Sequence, residues 1–195
     1  VRKRGYNYVT SSTYLDGNLL LAMPGMNDPR FDRSVIYVCS HDSSGAMGLV
    51  INKVHDSLNF DALLRHLEIE ANAPDHEVLI HTGGPVEPGR GFVLHSADFV
   101  QDSTLVISET LALTATVDIL KAIADGRGPL HCLVALGYAG WGAGQLEHEI
   151  QANVWLTAEA EEEIIFYTEL EQKWPRTMAM LGIDISMLSS DAGHA

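Results

Sequence analysis

The sequence predicts a single domain of the α+β class with a mixed sheet, and three observations carry that prediction. β-rich runs come mostly in hairpin-like pairs, helical periodicity falls between groups of strands, and no strict strand–helix alternation of the doubly wound kind is seen. No period of roughly 20 to 50 residues recurs, which removes solenoids and propellers. With 195 residues, 46% of them hydrophobic and 19% charged, the chain can bury one sizeable core without disulfides or metal. Residues 1–16 read as an N-terminal arm, 17–185 as the domain and 186–195 as a polar tail.

Taken in order, residues 19–22 form a first strand, closed by MPGMNDP, where Pro24, Gly25, Asn27, Asp28 and Pro29 all favour turns. The runs 34–39 and 46–51 read as a hairpin, because the short linker from His41 to Gly45 is built of turn formers. Phe60, Leu63, Leu64 and Leu67 recur at helical spacing, so residues 59–69 are a short amphipathic helix capped by Ser57 or Asn59. Two strands, 78–81 and 91–95, flank a loop over 82–90, and 104–108 is a further strand. Leu111, Ala115, Ile119, Leu120 and Ile123 predict one helix over 109–124, with Gly126 beyond its end. A buried strand over 130–138 leads into a bend crowded by Gly137, Gly140, Gly142 and Gly144 around Trp141, and a helix opens near Gln145. The last helix is expected to start at Thr157, with Glu159, Glu161, Glu162 and Glu163 at its positive end. It carries the stripe Phe166, Leu170, Trp174, Met178, and Pro175 is expected to end or kink it.

The balance of 26 acidic to 12 basic side chains gives a net charge of −14, which repels phosphate backbones and disfavours nucleic-acid binding. Arg2, Lys3 and Arg4 form a small basic cluster that reads as a solvated end. The apolar run 19–23 is too short to span a bilayer or serve as a signal core, so a cytoplasmic protein with no membrane contact is expected. Cys39 and Cys132 sit in apolar runs without metal spacing and read as buried thiols, a redox pair only if their strands are neighbours.

No GxSxG, HExxH, GxxxxGK[ST] or helix-opening GxGxxG motif is present. The nine histidines have no ligand spacing, so no metal and no cofactor is predicted. His41, Asp42 and Ser43 carry the letters of a triad, but neighbours on a strand point to opposite faces. The loops beginning at Gly83 and Gly137 expose backbone N–H groups, and Arg30, Arg33, Lys53 and Arg90 fall in or beside such segments. If those cations converge, they form a positive pocket suited to a carboxylate or phosphate.

At these residues the chain resembles the AlgH/YqgE family of bacterial proteins. The resemblance rests on LLLAMPGMNDPRF from Leu19, SVIY from Ser34, GAMGLVINK from Gly45, GGPV from Gly83, RGFVLH from Arg90, LGYAGWGAGQLE from Leu136, and Asn153. Val54 departs from it, where the family pattern often has proline. The resemblance implies a bifurcated, partly barrel-like mixed sheet with flanking helices and a regulatory label linked to alginate gene expression. It brings no catalytic residue. Asn52, Lys53, Gly83, Gly84, Arg90, Tyr138, Trp141 and Gly142 match its motifs and are the candidate ligand contacts. The expected function is that of a non-enzymatic protein acting through a protein partner or a small anionic ligand. Two alternatives stand beside it. One is a hydrolase, pairing His41, His81 or His95 with Asp42, Glu87 or a serine. The other is direct transcriptional regulation, which the net charge disfavours.

Overall fold

A computed structural model describes residues 14–70 and 77–188. The Arg2-Lys3-Arg4 cluster and most of the expected arm lie outside the described residues, as does the tail from 189. Among the described residues nine strands form one sheet: β1 (Asn18–Ala22), β2 (Val35–Asp42), β3 (Gly45–Val50), β4 (Ile80–Thr82), β5 (Val86–Ser96), β6 (Leu105–Val106), β7 (Leu111–Thr114), β8 (Cys132–Gly142) and β9 (Trp155–Glu159). The order is β6-β7-β5-β8-β3-β2-β1-β9, with β4 also on β8. Only the β4–β8 pairing is parallel, and the sheet curls into a half-barrel with helices packed on it, an α+β fold. Helices α1 (Phe60–His66), α2 (Val117–Ala124), α3 (Gln145–Gln151) and α4 (Leu170–Met180) lie against it.

Both faces of the sheet are covered, and the strands show it residue by residue. Leu19 and Leu21 of β1, Val35, Tyr37 and Cys39 of β2, and Leu49 of β3 pack with Trp174 and Met178 of α4. The intervening Leu20, Ala22, Ile36, Val38 and Val50 pack on the other face with Leu146 of α3 and Trp155. Further along that second face, Val93 and Val134 meet Phe60, Leu63 and Leu64 of α1 and Ile119 and Ile123 of α2. Strands buried on both sides read as continuous apolar runs, which is why 19–22 and 34–39 stood out in the sequence.

The hairpin forms as expected, with Ser44 N–H donating to Asp42 Oδ1 (2.7 Å) inside its turn. Helix α1 forms with Asn59 as its cap, its Oδ1 accepting from Ala62 N–H at 2.9 Å. Five expectations are corrected. The helix expected over 109–124 is split: Leu111–Thr114 pairs with β5 and β6, and the helix starts only after Thr116, whose backbone is extended. Four consecutive buried residues fit a strand between two neighbours, not one face of a helix. Thr157 caps no helix; it lies in β9 opposite Leu20 of β1. The acids that follow lead into a single π-helical turn, Glu163–Tyr167, and α4 restarts past the extended Thr168. Pro175 lies inside α4 without ending it, because Trp174 and Met178 anchor both flanks in the core and Trp174 Nε1 donates to the Ala22 carbonyl at 2.9 Å. The loop expected over 82–90 is shorter, since β5 already begins at Val86.

The fifth correction concerns the glycine bend. β8 runs straight through Gly137 and Gly140 to Gly142, and the chain turns only at Gly144. Gly137 has φ +71°, and the alternation slips by one residue there. Before it, Leu133 and Ala135 face the α4 side; after it, Tyr138 packs on that side while Ala139 and Trp141 face the other.

Candidate functional site

The site is built where the two glycine segments meet. Gly83 N–H donates to Leu136 O and Gly83 O accepts from Val50 N–H, both at 2.8 Å, so the GGP segment is laced between β3 and β8. A Cβ on Gly83 would collide with the Gly137 carbonyl, and one on Gly84 with the Tyr138 carbonyl. Glycine is therefore required by backbone approach, not by a corner. The wedge also splits the pairing of β8: β4 and then β3 occupy one edge, while β5 holds the other edge only as far as Val86 opposite Tyr138. Residues 139–142 thus have a strand on one side alone. Gly142 N–H turns away to Gln145 Oε1 at 3.0 Å, and the period of two places the main-chain groups of exposed Gly140 on the same open edge.

Two clefts flank this edge, and Val86, Gly140 and Trp141 line both. The larger, about 670 Å³, is walled by the turn from Met23 to Phe31, Pro85 and the stretch from Ala152 to Trp155. The other, about 530 Å³, is lined by Ser40, Asp42, Met47, Arg90, Phe92 and Tyr138. In the first, the Glu149 carboxylate accepts from Trp141 Nε1 (2.8 Å) and Trp155 Nε1 (2.7 Å) on one oxygen and from Gln145 Nε2 (2.8 Å) on the other. The two indoles meet edge to face at 5.8 Å, with Phe31 against Trp155 at 5.6 Å. Asn153, at φ +56°, is the left-handed residue that ends α3, a conformation asparagine tolerates better than most.

The structure brings Arg90, Tyr138 and Trp141 to one cleft and sets Gly83 and Gly84 against its main chain, with Gly142 at its end. Asn52 and Lys53 stand apart and line neither cleft. Asn52 accepts from Val35 N–H and donates to Arg33 O, both at 2.8 Å, fastening the start of β2. Lys53 donates to Arg30 O at 2.8 Å, and burial pulls its ammonium below the usual lysine range against the opposing pull of Asp32 and Asp28. The four cations do not converge. Arg30 chelates Asp28 (2.7 Å), which holds that carboxyl below its ordinary value; Arg90 pairs with Glu87 (3.2 Å) and lies over Phe92; Arg33 lies over Trp174.

The histidines of the hydrolytic alternative are committed elsewhere. His41 Nδ1 accepts from Leu15 N–H at 3.0 Å, so its proton sits on Nε2 and goes to Glu147 at 3.1 Å, leaving no basic lone pair. His95 donates from Nδ1 to Ser96 O and accepts at Nε2 from Thr114, each at 2.9 Å. His81 Nδ1 donates to Val134 O at 3.2 Å. No hydrogen bond joins any of the three to Asp42 or Glu87 among the described residues. Cys39 and Cys132 do not pair: β3 lies between their strands, and burial pushes the thiols up to about 12 and about 11. No group of three or more His, Cys, Asp or Glu gathers in metal-binding geometry, and no helix is long and apolar enough to cross a membrane, among the described residues.

Sequence reasoning missed Glu149, Trp155 and Lys173. The first two carry no spacing rule linking them to Trp141. Lys173 had a signal: it sits three and four residues from Leu170 and Thr177, beside Trp174, on the face of α4 that is buried.

Fold and cleft together define an α+β half-barrel protein with two clefts beside an open strand edge. The AlgH-like family model matches residues 19–186, and the chain belongs to that family. It is 52% identical to a UPF0301 protein of Rhodopseudomonas palustris (strain HaA2) over 195 residues, covering 96% of this chain and 89% of the relative. A UPF0301 protein of Rhodospirillum rubrum is 50% identical, covering 93% and 95%. The solution structure of the AlgH protein from Pseudomonas aeruginosa superposes with a TM-score of 0.77 at 43% identity over 100% of both chains. A crystal structure from Corynebacterium diphtheriae shares the fold, with a TM-score of 0.70 at 19% identity, over 90% of this chain and 92% of that one.

Proposed function

We propose that the chain is a non-catalytic binding protein whose cleft takes an extended segment of a partner polypeptide along the open edge of β8. One observation carries this reading: residues 139–142 are paired on one side only, and Gly140, exposed between the two clefts, has no side chain to hold another backbone away. A strand laid there would gain ladder hydrogen bonds, while the surroundings of Val86, Phe31 and Trp141 would receive its alternate side chains. Asp42 and Glu149 around the clefts and the net charge of −14 favour a basic segment. In these two clefts a small anionic ligand finds little to meet, since Arg30 and Arg90 are already paired with carboxylates. Nucleic acid finds still less.

The test is selection of peptides from a random library on the immobilised chain, followed by titration into isotope-labelled protein. Basic, extended peptides are expected to move the amide signals of Val86, Gly140 and Gly142 and the indole signals of Trp141 and Trp155. Gly140→Val should weaken them at least about tenfold. Peptides that map elsewhere would sink the reading. So would phosphorylated or carboxylated metabolites that raise the melting temperature of the wild type but not of Arg90→Ala.

A further inference from the structure

A cavity of about 470 Å³ lies away from the cleft, where the start of α4 and the π turn face the beginning of β8 and the end of the chain leading into β4. Its size falls in the range of small-molecule sites. Among its lining side chains are Lys173, 3% exposed, and His81, 6% exposed. Lys173 Nζ donates to Ile164 O and Ile165 O, both at 2.6 Å, which uses two of its three N–H groups on the carbonyls of the π turn. No carboxylate lies within ion-pair distance of it among the described residues. Burial pulls its ammonium down to about 8, against the pull of Glu169, the exposed cap residue of α4, which does not touch it. A cation so buried, with neutral acceptors only, is an incomplete arrangement in a chain this rich in acid.

Three features border the same space. The third N–H of Lys173 has no partner among the described residues. α4 is eleven residues long, its cap residue Glu169 makes no side-chain capping bond, and its positive end opens where Thr168, Glu169 and Leu170 line the cavity. The remaining wall is mixed: Leu133, Ile165 and Phe166 are apolar, Tyr167 and His131 are hydrogen-bonded to each other (2.7 Å) beside them, and exposed Glu77 and Glu169 also line the cavity, so an anion must sit on the apolar, Lys173 side. His81 donates from Nδ1 to Val134 O, and burial keeps its ring neutral, so it adds no competing positive charge. π turns are rare and recur at functional sites.

We infer that this cavity is a second binding site, separate from the β8 cleft, for a small organic carboxylate, with the anion on Lys173 and the α4 N-terminus and the apolar body against Leu133 and Phe166. Inorganic phosphate would satisfy the charge but not the apolar wall. A neutral isostere would satisfy the wall but not the charge.

The experiment titrates benzoate, hexanoate, benzamide and inorganic phosphate into the isotope-labelled wild-type chain. The two carboxylates are expected to give saturable shifts at Phe166, Thr168, Leu170 and Lys173, with benzamide and phosphate at least about tenfold weaker. Lys173→Met should reduce carboxylate affinity by a similar factor. Should that variant fail to fold, the side-chain signal of Lys173 in lysine-labelled wild type serves in its place and should move on carboxylate addition. Absence of saturable shifts up to about 10 mM, shifts confined to the β8 cleft, equal responses to benzamide or phosphate, or an unmoved Lys173 signal would each overturn the assignment.

Discussion

His81 illustrates what single side chains do inside this fold. Its ring is buried beside Val134 O, and burial lowers it from 6.5 to about 4. The folded chain therefore refuses a proton that the unfolded chain accepts below 6.5, so stability is full above that pH and falls as pH drops toward about 4. A shift of this size corresponds to roughly 3 kcal/mol, and His95, lowered in the same direction by burial, adds to the same window. Urea unfolding at pH 7 and at about pH 4.5 should show the loss, and His81→Asn should remove a large part of it; an unchanged slope would mean the ring is charged when folded. Glu149 makes a second residue-level prediction. Glu149→Gln removes the charge, and it can keep its one acceptor oxygen on the two indoles only by turning an NH₂ toward Gln145 Nε2, itself a donor, so stability should fall by roughly 1–3 kcal/mol and the Trp141 and Trp155 indole proton signals should both move.

Elements are where sequence and structure agree and disagree most instructively. The β2–β3 hairpin and α1 were legible because their signals are local: turn formers at Asp42 to Gly45, and Asn59 ahead of a 3.6-residue apolar stripe. Residues 111–114 were not, since Leu111 and Ala115 also fit a helical period and only the partners β5 and β6 decide the matter. The glycines of β8 were legible as unusual but not as a strand, because what requires them is the distant GGP backbone. This contrast can be measured. Gly137 and Gly144 have nearly the same left-handed φ, +71° and +72°, but a Cβ at Gly144 meets nothing within 4 Å while one at Gly137 strikes Gly84 O and Val86 O. Gly144→Ala should therefore cost about 1 kcal/mol, and Gly137→Ala several times that or the fold itself, by thermal or urea unfolding. Asn59→Ala, which removes one cap bond, should cost about 1 kcal/mol. The candidate site was half legible for the same reason: Arg90, Tyr138 and Trp141 do share a cleft, whereas Asn52 and Lys53 proved to be fasteners of the chain around Arg30 to Val35.

Across the whole molecule the excess of acid is the feature composition did reveal. Most described cations are engaged locally, as Arg30, Arg90, Lys121, Arg127 and Arg176 show, so the remaining carboxylates repel one another unshielded. Raising NaCl from about 10 mM to about 500 mM should raise the melting temperature, because screening relieves that repulsion more than it weakens exposed pairs. A falling melting temperature would place more of the stability in those pairs than their exposure suggests. The shared carboxylate of Trp141 and Trp155 has a practical consequence of its own. The chain has three tryptophans, all largely buried; two of them sit on one acid at the cleft, while Trp174 packs in the other core cluster, its Nε1 on the Ala22 carbonyl and its ring under Arg33. Intrinsic fluorescence is thus divided into a reporting pair and an internal standard, and occupancy of the groove can be followed optically on unlabelled protein, without a dye.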